Sequence, residues 1–266
     1  MATSRQIEIG SRMGYRYEYG FSVVEEEEIV TTPPPLDTGD KYFFFQFRVR
    51  FTVRKREGGA AAGDDDVVLD RERYNLSLRR RENDGERRRE GLRTFFRKIL
   101  AGSRLRDYWM SDDEITDLCH SALEFAAEKS ERARIVPVAV ELNVCSVQKE
   151  GETFEACRER AIVGSKLLPL YLYLYPEEAD VSRRRPFRPH NLVMINMPRI
   201  RVEHVDRNLM MEGCTLCKGN AVFGDQLSFL TCGHVFHSHC IARRLEHSNL
   251  CPTCSFQLYS FDLLQN

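Results

Sequence analysis

The stretch that decides the fold of the carboxy-terminal part reads Cys214-Thr-Leu-Cys217, Cys232-Gly-His234, His237, Cys240 and Cys251-Pro-Thr-Cys254. It holds eight potential metal ligands in four pairs, and the members of each pair lie two or three positions apart. Zinc takes four sulfur or nitrogen donors in a tetrahedron, and two donors this close in sequence can bind the same ion. Eight donors fill two closed sites and leave no position for a catalytic water. The stretch therefore predicts two structural Zn(2+) ions.

The cysteines of this 266-residue chain are concentrated in the same stretch, which holds six of the nine. In a reducing compartment, such a cluster indicates metal binding and not a framework of disulfides. The other three are Cys119, Cys145 and Cys157, and each lies in a segment with periodic apolar residues. That position predicts buried side chains for these three and not nucleophiles.

The distribution of charge and apolar residues limits the classes of partner. The amino terminus carries no apolar signal segment, and no apolar run reaches the roughly 18–20 residues of a membrane helix. The net charge is −1, and the arginine runs at residues 79–81, 87–89 and 183–185 lie outside the zinc-ligand stretch. Such runs are usually solvated surfaces. We therefore expect a soluble protein of the cytoplasm or nucleus that binds neither a membrane nor nucleic acid.

The order of the ligands resembles the RING-H2 zinc-finger family, which includes RING-type ubiquitin ligases. The resemblance covers residues 214–255 only. It implies a cross-brace, in which the ligand pairs alternate between two Zn(2+) ions. The first ion is then bound by Cys214, Cys217, His237 and Cys240. The second ion is bound by Cys232, His234, Cys251 and Cys254.

The same resemblance implies a function. Members of this family use the zinc ions to hold two loops and a short helix, which form a shallow groove for a ubiquitin-conjugating enzyme. The chain would then act as a ubiquitin-protein ligase that brings ubiquitin close to lysines of an unknown protein substrate. It would be a transferase adaptor without a covalent intermediate, so no catalytic residue is expected. The groove positions that match the family are Leu216, Ile241, Leu245 and Pro252.

Two positions depart from the family pattern. Arg244 stands where many active members have a tryptophan, and Ser255 stands where many have an arginine or lysine. Losing such an anchor commonly costs about 2 kcal/mol or more of binding free energy. The departures favour an alternative function, a non-catalytic zinc-binding RING that serves as an interaction module. His239 and His247 have no place in the ligand pattern and are expected to be surface histidines.

The amino-terminal part predicts a small α+β domain of uncharacterised family. Residues 1–40, with an acidic run at 25–28 and three prolines at 33–35, are expected to be a weakly ordered tail. Residues 41–206 are expected to be an α+β region that recognises the substrate or another partner. Its strongest signal is the alternation of apolar and polar residues over 43–53, which predicts a strand.

Several weaker patterns complete this region. Residues 67–78 are expected to return as the second strand of a hairpin, and residues 91–105 have helical spacing. A second helix should begin after Ser111, with Glu114 completing a capping box. Residues 136–144 predict a further strand, in which Pro137 indicates an edge position or a strand start. Residues 192–202 predict a last strand, broken near proline 198.

Overall fold

The computed structural model describes residues 7–12, 14–24, 41–56, 66–80, 104–130, 135–173, 194, 197–202 and 213–258. The chain divides into two compact units, Met1–Glu150 and Gly151–Asn266. The mixture of helices and strands confirms the α+β class predicted from the sequence. No helix in the described part of the chain is both long enough and apolar enough to cross a membrane.

The first unit contains a five-stranded sheet. Its strands are β1 (Ile7–Arg12), β2 (Tyr15–Val23), β3 (Lys41–Arg54), β4 (Val67–Arg80) and β5 (Ile135–Val147). Their spatial order is β1-β2-β5-β3-β4. Strands β3 and β5 are parallel, and the other neighbours are antiparallel. The predicted strand and its returning partner are confirmed as β3 and β4.

The weakly ordered tail expected over residues 1–40 is wrong for residues 7–12 and 15–23, which form β1 and β2. In β2, aromatic residues alternate with small or charged ones, and the sheet buries every aromatic side chain of this series. These side chains are Tyr15, Tyr17, Tyr19 and Phe21, none more than 4% exposed. Burial of this much apolar surface stabilises the pairing of β2 with β5. The rest of the expected tail, apart from residues 14 and 24, lies outside the described residues.

Within the described residues between β4 and β5 lie two helices, α1 (Arg104–Asp107) and α2 (Asp112–Lys129). The predicted capping box at the start of α2 is present. The Ser111 Oγ accepts a hydrogen bond from the Glu114 N–H at 3.2 Å, and the Glu114 Oε2 accepts one from the Ser111 N–H at 2.6 Å. Of the helix expected over 91–105, residues up to 103 lie outside the described residues.

Strand β5 lies in the middle of the sheet, between β2 and β3, so the edge position inferred from Pro137 is wrong. The alternative, a position near a strand start, fits the structure because Pro137 is the third residue of β5. Pairing with β2 ends one residue later in β5, at Val138 opposite Val23. The carbonyl of Pro137 accepts a hydrogen bond from the Val24 N–H at 3.1 Å.

The cysteines outside the ligand stretch are buried, as their sequence positions predicted. Cys119, Cys145 and Cys157 are at most 4% exposed. Burial raises the pKa of Cys119 to about 12 and that of Cys145 to about 11. Neither thiol is therefore ionised near neutral pH, which removes its nucleophilic form.

A buried ion pair joins α1 to β4. Arg104 is 3% exposed and donates to both carboxylate oxygens of Glu72, at 2.8 and 2.9 Å. The substitution Glu72→Gln leaves only the buried Asp107 carboxylate, 3.6 Å away, to balance this guanidinium and removes its two short charge-assisted bonds. Breaking a buried pair costs about 3–5 kcal/mol. We expect the free energy of unfolding of this unit, measured with urea, to fall by about that amount.

The matched control is Asp112→Asn. Its pair with Arg106 is 3.0 Å long, but the two side chains are 75% and 54% exposed. Exposed pairs contribute less than about 1 kcal/mol. Equal losses of stability for both substitutions would contradict a structural role for the buried pair.

The second unit begins with α3 (Phe154–Glu159) and two short 3-10 turns, Gly164–Lys166 and Leu170–Leu172. Its sheet has three antiparallel strands, β6 (Arg199–Arg201), β7 (Gln226–Phe229) and β8 (Val235–His237), followed by α4 (Ser238–Leu245). Of the strand predicted over 192–202, the described residues contain β6, directly after proline 198, while residues 192, 193, 195 and 196 lie outside them. Residues 174–193, which include the arginine run at 183–185, are outside the described part.

The boundary between the units lies at residue 150, whereas the sequence placed it after residue 206. The physical reason is a shared apolar core. Four residues that precede the ligand stretch, Leu168, Leu172, Met194 and Met197, are buried in one cluster with residues of that stretch. The members from the ligand stretch are Cys214, Leu230, Phe236, Ile241, Ala242, Leu245 and Cys251.

Candidate metal centre

The structure brings the eight predicted ligands together in two groups. One group holds Cys214, Cys217, His237 and Cys240, and the other holds Cys232, His234, Cys251 and Cys254. Within each group the ligand atoms lie within 4.8 Å of one another. Four donors about 2.0–2.3 Å from one ion lie roughly 3.3–3.8 Å apart, so both groups fit a tetrahedral zinc ion. The grouping is the cross-brace that the family resemblance implies.

The two Cys-x-x-Cys turns share one backbone geometry. In the first, the carbonyl of Cys214 accepts from the Lys218 N–H at 2.6 Å, and the Cys214 N–H donates to the Gly219 carbonyl at 2.7 Å. In the second, Cys251 makes the equivalent bonds to Ser255 and Phe256, both at 2.9 Å. Lys218 and Ser255 have φ values of 62° and 57°, in the left-handed region. This turn points both cysteine sulfurs of each pair toward one ion.

The turn between β7 and β8 carries the second pair of ligands. The Leu230 N–H donates to the His234 carbonyl at 2.9 Å, and the Gly233 N–H donates to the Leu230 carbonyl at 2.9 Å. Gly233 has φ of 83°, a conformation that glycine adopts without steric cost. The turn brings His234 Nδ1 to 3.4 Å from Cys232 Sγ.

An acidic residue orients the histidine of the first group. His237 Nδ1 lies 3.3 Å from Cys217 Sγ, and its other nitrogen, Nε2, lies 3.4 Å from Asp225 Oδ2. This contact with the Asp225 carboxylate is the largest cause of the raised pKa of His237. A carboxylate behind a ligating histidine fixes the ring and keeps the proton on the nitrogen away from the metal. Sequence analysis missed Asp225, because it lies outside every ligand pair.

Asp225 is itself held in place. Its Oδ2 accepts a hydrogen bond from the Val222 N–H at 2.9 Å. Burial acts to raise the pKa of Asp225, but the contact with His237 and the hydrogen bond from the Val222 N–H outweigh it, and the pKa lies below its ordinary value. The group is therefore an ionised carboxylate near neutral pH, which favours a charged or proton-bearing His237 Nε2 beside it.

The four predicted groove residues do not share one surface. Ile241 and Leu245 are each 1% exposed and lie on the face of α4 that packs into the core, one helical turn apart. They therefore cannot contact a partner directly, and their placement in the groove is wrong. Leu216 and Pro252 are half-buried, so part of each remains available at the surface. Arg244 is exposed on α4.

The segment before the ligand stretch also contacts α4. His239 Nδ1 lies 3.0 Å from the Lys166 carbonyl, and Arg243 Nη2 donates to the Ser165 carbonyl at 3.2 Å. The expectation that His239 is a surface histidine is wrong, because its ring packs parallel to that of His237 at 5.5 Å. Burial lowers its pKa to about 4. His247 is exposed, as expected.

Comparisons with known proteins agree with this geometry. The family model described as "Ring finger domain" matches residues 212–255. The E3 ubiquitin-protein ligase AIP2 of Arabidopsis thaliana is 41% identical over 49 residues, which is 18% of this chain and 16% of that protein. The E3 ubiquitin-protein ligase CIP8 of the same plant is 42% identical over 53 residues, 20% of this chain and 16% of that protein. Each match therefore spans about one sixth of the relative's length.

A solved structure, the RING-H2 domain of Arabidopsis RMR1, is also similar. It is 26% identical and covers 26% of this chain and 93% of that domain, with a TM-score of 0.25. Together, the ligand order, the cross-brace and the family match show that the carboxy-terminal segment of this chain is a RING-H2 finger with two zinc sites.

Proposed function

We propose that the chain is a RING-type ubiquitin ligase, which binds a ubiquitin-conjugating enzyme and brings its ubiquitin close to a substrate lysine. The observation that carries this proposal is the position of Leu216 and Pro252. Each lies between two ligands of one zinc site and remains partly exposed. The names of the similar plant proteins support the same activity, although those matches are limited to the finger.

The mechanism that fits this geometry is positioning. Leu216 lies in the Cys214–Cys217 turn, and Pro252 lies in the Cys251–Cys254 turn. Because each turn is fixed by a metal, the two apolar side chains are held at a set distance without a large core beneath them. A rigid apolar pair of this kind suits an enzyme that binds a protein carrier and leaves the transfer chemistry to the carrier.

The decisive experiment compares the unmodified chain with Leu216→Ala in a reaction that contains activating enzyme, ubiquitin and a panel of conjugating enzymes. We expect the rate of polyubiquitin formation to fall at least about tenfold, because an apolar anchor at an interface contributes about 2 kcal/mol. Zinc content, measured by mass spectrometry, should stay at two ions per chain, since Leu216 is not a ligand.

Ile200→Ala is the matched control. Ile200 is 38% exposed on β6, in the same unit but outside both zinc turns. Its removal should leave the rate within about twofold, as is usual for surface substitutions. An equal loss for both variants would refute the assignment of Leu216 to the interface.

A second function, a zinc-binding interaction module without ligase activity, is favoured by Arg244 and Ser255. Both residues are exposed. Arg244 does not supply the flat aromatic side chain that many family members have at its position, and Ser255 does not supply the cation that many have at its position. The same reaction separates the two functions. If the unmodified chain makes no polyubiquitin with any conjugating enzyme while it holds two zinc ions, the interaction module replaces the ligase. In either case we propose the cytoplasm or nucleus, where the thiol ligands stay reduced.

A further inference from the structure

An unusual charge arrangement lies on the β3–β4 ribbon of the first unit. Arg48 is directly opposite Arg73, and Arg50 is directly opposite Arg71. Residues directly opposite in a ladder point to the same face of the sheet. These two adjacent pairs, which we name the arginine rungs, place four arginine side chains on one face of the sheet. Like charges directly opposite are unfavourable in a sheet, so folding alone gives no reason for them.

The arginine rungs lie on the face of the sheet that α1 does not cover. The residue between Arg48 and Arg50 on β3 is Val49, which is 1% exposed. Its partner on β4 is Glu72, which binds the buried Arg104 of α1. Side chains alternate between faces along a strand. The arginine rungs therefore point away from the helix and its buried core.

Within the described part of the sheet, one carboxylate forms an ion pair with an arginine of the rungs. Glu141 on β5 contacts Arg48 at 3.2 Å, and Arg48 also donates to Gln46. Arg50, Arg71 and Arg73 are exposed, and within residues 41–56, 66–80 and 135–173 no carboxylate forms an ion pair with any of the three. Glu18 and Asp66 bind Arg54 at 3.0 and 2.6 Å, and Asp66 acts on Arg50 only through a longer-range electrostatic interaction.

The surface beside the arginine rungs has room for a ligand. A hollow of about 370 Å³ opens next to Arg50. Its lining includes Gly20 and Ser22 of β2, which leave room above the sheet, and the carboxylates Glu18 and Glu141, so a side chain that enters the hollow is a neutral one. A chain lying along β3 could place a side chain there while its neighbours contact the arginine rungs.

We propose that the arginine rungs bind an acidic, extended segment of a partner protein. Guanidinium groups pair with carboxylates through two parallel hydrogen bonds. Adjacent rungs lie two residues apart along the strand, or about 6.6–6.8 Å, which is also the spacing of alternate side chains in an extended peptide. A segment with a carboxylate at every second position therefore matches both rungs.

A protein partner fits this surface better than nucleic acid. Single-stranded nucleic acids bind through exposed aromatic side chains on which bases stack, in addition to basic groups. The large exposed apolar side chains in the described part of the first unit are Val23, Val67 and Val68, and none of them is aromatic. The arginine rungs supply charge and hydrogen-bond donors but no stacking surface.

The test measures the binding of a fluorescent peptide that alternates glutamate with glycine, using anisotropy and the full chain. We expect binding that weakens as salt is added, because salt screens exposed charges. The double substitution Arg50→Gln/Arg71→Gln should raise the Kd at least about tenfold, since it removes two charge-assisted contacts. It should also keep or raise the unfolding temperature, because it relieves repulsion between like charges.

The matched control is Arg106→Gln/Arg158→Gln, which removes two exposed arginines elsewhere and lowers the net charge equally. Its Kd should stay within about twofold of the unmodified value. The proposal is overturned if the peptide does not bind, if both double substitutions weaken it equally, or if an oligothymidine of the same charge binds more tightly. Binding is measured without ubiquitin or a conjugating enzyme, so the result is independent of the proposed ligase activity.

Discussion

The substitution Cys251→Ser is expected to reduce the zinc content below two ions per chain and to unfold the finger. A structural zinc ion contributes about 10–16 kcal/mol to folding, as much as or more than the entire net stability of a typical domain. Cys251 is also 1% exposed and belongs to the apolar core. The ligand pairs alternate between the two sites, so distortion of one site moves the turns that serve the other.

Two measurements check this prediction. Native mass spectrometry gives the number of zinc ions per chain, and amide hydrogen exchange reports whether β7, β8 and α4 remain protected. The control is Cys157→Ser in the same unit, which removes a buried cysteine that is not a ligand. It should keep two zinc ions. A Cys251→Ser chain with two ions and native protection would refute the assignment of this ligand.

The double substitution Leu168→Ala/Leu172→Ala is expected to destabilise the zinc finger, although both residues precede the segment 212–255 that the family model matches. Both leucines are 2% exposed and share the core of the zinc-binding part. Each truncation should cost about 2–5 kcal/mol, because it removes apolar contacts and leaves a cavity. We expect a lower unfolding temperature for the finger and faster release of zinc to a chelator.

The control for this pair is Tyr171→Ala, in the 3-10 turn that contains Leu172. Its side chain is 37% exposed, so its loss should change stability by only about 0.5 kcal/mol. Zinc release from the leucine variant at the rate of the unmodified chain would contradict the shared core.

The shared core has a practical consequence for expression of the finger alone. A fragment should begin at residue 151 and not at the first ligand cysteine, so that it keeps Leu168 and Leu172.

The sequence predicted the metal centre well because zinc ligands follow strict local spacing. Cys214 with Cys217 and Cys251 with Cys254 can be recognised from adjacent positions alone, and the capping box at Ser111 is local in the same way. Asp225 could not be predicted, because its role depends on β7 and β8 bringing it behind His237. The residues adjacent to Asp225 in the sequence give no indication of its contact with His237.

The errors in the fold have a common physical cause, which is contact between distant residues. Strand β2 shows a clear alternation of aromatic residues, but its partner β5 is more than 100 residues away. Leu168 and Leu172 look like an isolated apolar run until Phe236 and Ile241 are placed against them. Ile241 and Leu245 match family positions in sequence, yet only the packing of α4 shows that they face inward.

The central position of β5 has a consequence for synthesis on the ribosome. Both β2 and β3 bond to β5, which is made last among the strands of this sheet. At about 5–20 residues per second, the roughly eighty residues between Arg54 and Ile135 take several seconds to emerge. During that interval the nascent chain carries two unpaired strand edges, the kind of surface that chaperones bind. A message truncated before residue 135 would encode only this incomplete sheet, which cellular quality control would have to remove.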